Sequence, residues 1–448
     1  MITDLSRGKA GKVLLMYTLP LFGSVVFQQL YNIADSVIAG RACGEDALAA
    51  IGASYPITAI FMAFAFGLNG GASVIISRLF GAGKKRDLAT AVSTSYIISG
   101  AVCLALTLIG TLFAGGMLEA LDTPQNIMAH GATYLRIYTL GMPFVFLYNI
   151  TTGVFTALGD SRTPFIFLIL SSVGNIALDM LFVLIFPKTA GVAAVAWATF
   201  VTQGIACVGA LIALRVRIRT ATEDGAPLFS RSIARSIMII AVPSILQNSF
   251  VSVGNLMIQS VINAHGSGVI AGYAAAIKIN TFTITCFSAL ATAISAFASQ
   301  SIGAGKPERV KDGVKACIGL AMIIGIPVAI FNLIFAPYAI GIFLENGTGE
   351  LAVAAGSAFL RIVSPFYLVV SVKIISDGAL RGCGDVTAFT VATFADLLLR
   401  VVFTYLFDAL WHTPSGLYIW WSWPAGWVIG TAVSLAFYLS GRWKKKVI

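Results

Sequence analysis

Long apolar stretches fill most of the chain, and short polar breaks part them at regular intervals. Runs of at least 18 mostly apolar residues fall at about 13–39, 47–77, 89–114, 132–157, 163–186, 191–214, 233–262, 269–300, 311–337, 353–380, 386–409 and 416–440. A helix rising about 1.5 Å per residue needs roughly 20 residues to cross the hydrocarbon of a bilayer, so each run predicts one spanning helix. Several runs are longer and are expected to tilt, bend or project beyond the membrane. Twelve such helices predict an all-α polytopic membrane protein.

Composition strengthens this reading. The 448 residues are 58% hydrophobic and 11% charged, where soluble domains carry about 25% charged residues. Mean hydropathy is +0.90. The first run is too long for a signal-peptide core and lacks a small-residue cleavage site, so it is expected to be retained. Six scattered cysteines show neither metal-type nor redox spacing and are expected to be small apolar fillers.

Charge adds an orientation. With the N-terminus in the cytoplasm, the inner segments hold 22 basic residues, from Arg7, Lys9 and Lys12 to Arg442 and Lys444–Lys446, while the outer ones hold only Arg41 and Lys188. Such asymmetry follows the positive-inside rule and predicts that both termini are cytoplasmic, in a cell membrane. The net charge of +10 is thereby explained as topology, and nucleic acid is not an expected partner.

The chain also repeats itself. Pro20 and Asn32 recur as Pro243 and Asn255, 223 residues later; GAGK at Gly81–Lys84 recurs at Gly303–Lys306, 222 later. Leu135-Arg136-Ile137 and Gly159-Asp160 recur 225 residues on, at Leu360 and Gly384. Each half then holds six spans, an even number, so both halves enter the membrane from the same side, as parallel repeats about an axis along the membrane normal. The expected organisation is a six-helix lobe over 1–214, a cytoplasmic connector over 215–235 and a second lobe over 236–448. GAGK itself is not a phosphate-binding loop. It lacks the six-residue glycine spacing and the Ser or Thr after lysine, and reads as a short inner turn with a helix-capping glycine.

LYNIADSVIAGRACGEDALAAIGASYP, the paired RLFGAGK and QSIGAGK loops, FTALGDSRTP and ALRGCGD together resemble the MATE family, the multidrug and toxic compound extrusion transporters. The resemblance runs essentially end to end. It implies two six-helix lobes and cation-coupled antiport, driven by H+ or Na+, of amphipathic, often cationic small molecules by alternating access. The wider superfamily contains flippases for lipid-linked oligosaccharides, so that activity is the alternative. No cofactor beyond the coupling ion is implied, and the partners expected are the substrate and membrane lipids around a monomer.

Intramembrane polar residues supply candidate sites, because charge in hydrocarbon is costly and usually functional. Asp35 is the only charge in a run that begins at Val13, and neither it nor Asp179 has a basic neighbour one turn away. Asn175 lies one helical turn before Asp179, and Thr199 lies in the following span. All three depths fall in the outer half of the membrane. The family pattern sets an aspartate of span 1 beside an asparagine and aspartate of span 5, which makes Asp35, Asn175, Asp179 and Thr199 the candidate coupling-ion ligands. Their oxygens suit a hard ion such as sodium, and a shared proton is the other option. Pro20, lacking an amide hydrogen, is the expected hinge of span 1. Gln28, Tyr31, Asn32, Gln247, Asn248, Asn255, Gln259 and Lys278 are candidate substrate-cavity residues. Lys373 with Asp377, and Asp396 with Arg400, stand four apart and are expected to neutralise each other as structural pairs. An enzyme is not expected: the three histidines fall in predicted outer loops, without a zinc motif.

Overall fold

The computed structural model describes residues 2–43, 45–185, 191–344, 349–411, 413 and 417–445, without the side chains of 32–43, 45–48, 183, 184, 191, 192 and 445. Those residues form helices and turns. The helices are α1 (Ala10–Cys43), α2 (Glu45–Gly81), α3 (Lys85–Leu112), α4 (Ala114–Glu119), α5 (Gln125–Ala157), α6 (Arg162–Ile185) and α7 (Gly191–Ile218) in the first half. The second half holds α8 (Arg231–Asn263), α9 (Ser267–Gly303), α10 (Arg309–Gly341), α11 (Glu350–Val363), α12 (Tyr367–Gly382), α13 (Val386–Leu410) and α14 (Ser422–Leu439). Among the described residues eleven spans are long and apolar enough to cross a membrane, with α11 and α12 forming one of them through a single 3-10 turn. The twelfth expected span is α14, which is 18 residues long and opens from a 3-10 turn at Leu417–Trp421.

The repeat in the sequence is a repeat of helix ends. Gly83 and Gly305, one in each GAGK, have φ of 70° and 71°; Gly159 and Gly384, one in each Gly-Asp, have 77° and 79°. A side chain there would crowd the backbone, and glycine avoids that. The following amide reaches back five residues in every case: Lys84 N to Leu79 O, Lys306 N to Ser301 O, Asp160 N to Phe155 O and Asp385 N to Leu380 O, at 2.8–3.1 Å. This pattern closes a helix C-terminus and satisfies its last carbonyls. Packing repeats as well. Ser77 Oγ donates to Ala157 O at 3.1 Å, joining α2 to α5, and Ser299 Oγ donates to Gly382 O at 2.7 Å, joining α9 to α12.

Two compact units result: residues 1–4 with 19–248, and residues 5–18 with 249–448. The expected connector, 215–235, falls inside the first unit, where Ser230 N donates to Thr94 Oγ1 at 3.2 Å. The division lies within α8 because its first half packs against α2. A Cβ on Gly71 would lie 2.6 Å from the Ile237 carbonyl oxygen, and one on Gly67 would lie 2.3 Å from Ile245 Cγ1. Only glycines let α2 approach that closely. The described cysteines, 103, 207, 286, 317 and 383, form no disulfide with one another and are buried, as fillers are.

Candidate functional site

In the first unit α6 and α7 pack along one another. Asn175 and Asp179 lie on the same face of α6, one turn apart, at 3% and 0% exposure. Asn175 Nδ2 points to Thr199 Oγ1 of α7 at 3.5 Å, and Asn175 Oδ1 accepts no hydrogen bond among the described residues. The structure therefore brings Asn175 and Thr199 together, beside a buried carboxylate on the same helix. Asp35 is within α1, but its side chain lies outside the described residues. No group of three His, Cys, Asp or Glu side chains converges among the described residues. A cation at this place must draw on neutral amide and hydroxyl oxygens too, a donor set that Asn175 and Thr199 provide.

Next to Thr199, between α5 and α7, is a cavity of about 20 Å³ lined by Tyr134, Tyr138, Gln203 and Phe200. That is room for one water molecule among several polar groups. Sequence reading passed over Tyr134, Tyr138 and Gln203. The four-residue spacings Tyr134–Tyr138 and Thr199–Gln203 set polar groups on one face of each helix, and that was the available signal.

The candidate cavity residues are divided between the two units. In the first, Gln28 is exposed, while Tyr31, Gln247 and Asn248 are half-buried. Asn248 Nδ2 donates to Ser244 O at 2.8 Å, one turn after Pro243. Asn32 lies outside the described side chains. In the second, Asn255 and Lys278 are exposed, and Gln259 Nε2 donates to Asn263 Oδ1 at 2.8 Å. The Lys278 ammonium stands 5.7 Å from the Phe343 ring centre, a cation–π contact. Pro20 is inside α1, where the Ser24 hydroxyl donates to its carbonyl at 3.0 Å.

The second unit contains a closed network of charge. Lys373 Nζ is 2.9 Å from Asp377 Oδ2 and 3.5 Å from Asp396 Oδ2, and Arg400 Nη2 is 3.1 Å from Asp396 Oδ1. The two expected pairs thus form one network across α12 and α13. Ser434 of α14 donates to Asp377 Oδ1 at 2.6 Å, and the Arg400 guanidinium lies 4.4 Å from the Trp423 ring centre. Gly430 lets α14 close over the network: a Cβ there would be 2.8 Å from both Asp396 Cβ and Lys373 Cε. Within it each carboxylate faces a cation: Asp377 faces Lys373, and Asp396 faces both Lys373 and Arg400.

A further carboxylate works at the turn between α5 and α6. Asp160 Oδ1 accepts from Thr163 N at 3.1 Å and Oδ2 from Thr163 Oγ1 at 2.8 Å, capping α6, and Arg217 of α7 pairs with it. Burial pushes its pKa up, but hydrogen bonds and nearby positive charge, the two bonds from Thr163 foremost, together outweigh burial and hold it below the ordinary carboxylate value. A depressed folded pKa adds stability above the unfolded pKa, and that stability is lost as pH falls through the folded value. Thermal unfolding of the purified protein is therefore expected to show a stability drop as pH falls below the ordinary carboxylate value of about 4, and that drop is reduced in Asp160→Asn. Identical acid profiles would remove Asp160 from this role.

Comparison with known proteins places these features. A model of the MatE family matches residues 20–181 and 243–406. The chain is 28% identical over 443 residues to the probable multidrug resistance protein YpnP of Bacillus subtilis, covering 98% of this chain and 97% of that protein. It is also 28% identical over 451 residues to the probable multidrug resistance protein YoeA of the same organism, covering 99% and 96%. A crystal structure of MATE in the straight conformation shares the fold with a TM-score of 0.90 at 22% identity, over 99% of each chain.

Proposed function

The chain belongs to the MatE family of membrane transporters, and on that premise we propose that it exports amphipathic, often cationic organic compounds by cation-coupled antiport. The observation that carries the proposal is the fully buried Asp179, one turn from Asn175, which faces Thr199. Low dielectric favours a carboxylate that holds a proton or shares a cation, and a group that alternates between those states can couple to a gradient. In this reading Asp35 is a coupling-ion ligand with Asp179 as its partner, and Asn175 and Thr199 complete a site for Na+ or serve a proton. The water-sized cavity beside Thr199 gives the ion or proton a polar step out of the helix pair. Neutralising the site changes how α1 bends at Pro20, which favours one access state over the other.

The substrate class follows from the named relatives, which are multidrug resistance proteins, and from the cavity residues. Gln28, Tyr31, Asn32, Gln247, Asn248, Asn255 and Gln259 offer amides and a ring face, which suit amphipathic monovalent cations. A flippase reading is not favoured. It calls for several cavity cations to hold a pyrophosphate, yet Arg400 is buried in its network, which leaves Lys278 as the candidate among the described residues. In this reading the charge asymmetry sets both termini in the cytoplasm, and the protein acts as a monomer in the cell membrane.

Expression in an efflux-deficient host is expected to lower accumulation of an ethidium-type dye. Single cysteines at positions 84 and 306 are expected to label from the cytoplasm, and one at 122 from outside. Unchanged accumulation across a panel of aromatic monovalent cations, with the protein well expressed, overturns the substrate class. Labelling of 84 and 306 on opposite sides overturns the topology.

A further inference from the structure

The second unit carries a groove that the transport reading leaves unused. It has a volume of about 520 Å³ and lies between the last turn of α10 and one face of α11 along nearly its whole length, within the roughly 300–1,000 Å³ typical of ligand sites. Pro337 forms one wall; Glu350, Ala354, Ser357, Ala358 and Arg361 form the other. These α11 positions recur at three or four residues and therefore share a helix face.

Three observations point to a ligand. First, Ser357 is 4% exposed, lines the groove, and its Oγ has no hydrogen-bond partner among the described residues. A buried hydroxyl without a partner is unusual enough to imply one that is absent here. Second, the groove carries opposite charges at its two ends. Glu350 begins α11 and with it the span Glu350–Gly382, and Arg361 lies 11 residues further along it, about 16 Å along the axis. Long side chains on a helix lean back toward its N-terminus, and from Arg361 that is the direction of Ser357, one turn before it. Third, the α10 surface beside the groove is apolar and exposed. Along α10 the side chains of Ile323, Ile330, Ile334 and Tyr338 are exposed, at 70%, 51%, 58% and 76%, and Tyr338 beside Pro337 is the kind of residue that sits at the headgroup level.

We infer that this groove binds one membrane phospholipid of the zwitterionic amino type, which carries a phosphate and, beyond it, an ammonium. The order of charges fits. In a bilayer the phosphate of such a lipid lies deeper than its ammonium, and here the cation Arg361 lies deeper than the anion Glu350. The phosphate accepts from Arg361 and from the Ser357 hydroxyl, which supplies the missing partner. The small side chains of Ala354 and Ala358 leave room for the headgroup, and its ammonium faces Glu350 at the mouth. The acyl chains then run inward over the exposed apolar face of α10.

The test uses the full chain purified in a non-ionic detergent, with lipid retention counted by native mass spectrometry and thermal stability followed as lipid is added. Phosphatidylethanolamine is expected to be retained and to stabilise the wild type more than phosphatidylglycerol, and diacylglycerol, which lacks phosphate, is expected to do neither. Arg361→Gln and Ser357→Ala should each weaken retention of both phospholipids, by about tenfold for the arginine, the scale of a lost charge-assisted hydrogen bond. Glu350→Gln should remove the preference for ethanolamine over glycerol and leave phosphate-dependent retention in place. Ser357→Ala is a small change that keeps the helix intact, so an effect there cannot be assigned to misfolding. Equal retention by wild type and both phosphate-side variants overturns the site. The same stabilisation by soluble phosphorylethanolamine, without acyl chains, overturns a lipid as the occupant.

Discussion

Asp179→Asn is expected to abolish gradient-driven efflux while the protein still reaches the membrane folded. The carboxylate is fully buried on α6 with Asn175 one turn away. Asparagine matches its shape but has no charge to exchange. Loss of one charged ligand, worth about 1.5–3 kcal/mol, lowers affinity for a coupling cation at least tenfold, and a proton carrier is lost outright. The same change removes a charge from low dielectric, so thermal stability should hold or rise. That opposite sign separates coupling from structure. Efflux of a fluorescent cation from vesicles, under an imposed sodium or proton gradient, gives the rate; unfolding in detergent gives the stability. Wild-type transport by Asp179→Asn would sink the coupling role. Asp35→Asn is expected to show the same loss of transport.

The second large effect is the reverse: stability lost, with no role in coupling. Asp396→Asn takes from Arg400 the carboxylate that pairs with it and leaves Lys373 with Asp377, inside the second unit. Removing one member of a buried charge pair typically costs about 3–5 kcal/mol, because the remaining charge has lost both water and its partner. Yield and unfolding midpoint should fall sharply. The paired change Lys373→Met with Asp377→Leu removes one charge of each sign and leaves Asp396 with Arg400, so it should cost far less and retain efflux. A folded double variant that cannot transport would move the network from scaffold to mechanism.

Periodicity made the spanning helices legible, since hydrocarbon demands about 20 apolar residues from each, whatever its neighbours. The repeat was legible too, because the Gly-Lys and Gly-Asp turns depend on local backbone geometry, which recurs with the letters. Pairs four residues apart, such as Asp396 with Arg400, could be read along a single helix. The contact between Lys373 and Asp396 could not, because it depends on how α12 and α13 face each other. The same limit hid the cavity between α5 and α7, where Tyr138 and Thr199 come from distant segments. Nor could spacing show that α8 divides in its middle; the glycines of α2 decide that. Asn175 and Thr199 were legible as candidates from their polarity within apolar runs; that they stand 3.5 Å apart depends on how α6 and α7 pack.

The two glycines of α2 also determine how the chain can be cut. A first-half fragment that stopped at residue 214, where the sixth run ends, would leave Gly67 and Gly71 facing a slot with no side chains of its own, shaped to the backbone of α8. Such a slot invites another chain's helix, the route to domain-swapped assemblies. A fragment carried on to residue 248 brings its own lid. Breakpoints for split reporters, chimaeras between relatives or permuted chains therefore belong in the middle of α8 or wholly outside it, and the polar connector, inviting as it looks, is the poorer place to divide the molecule.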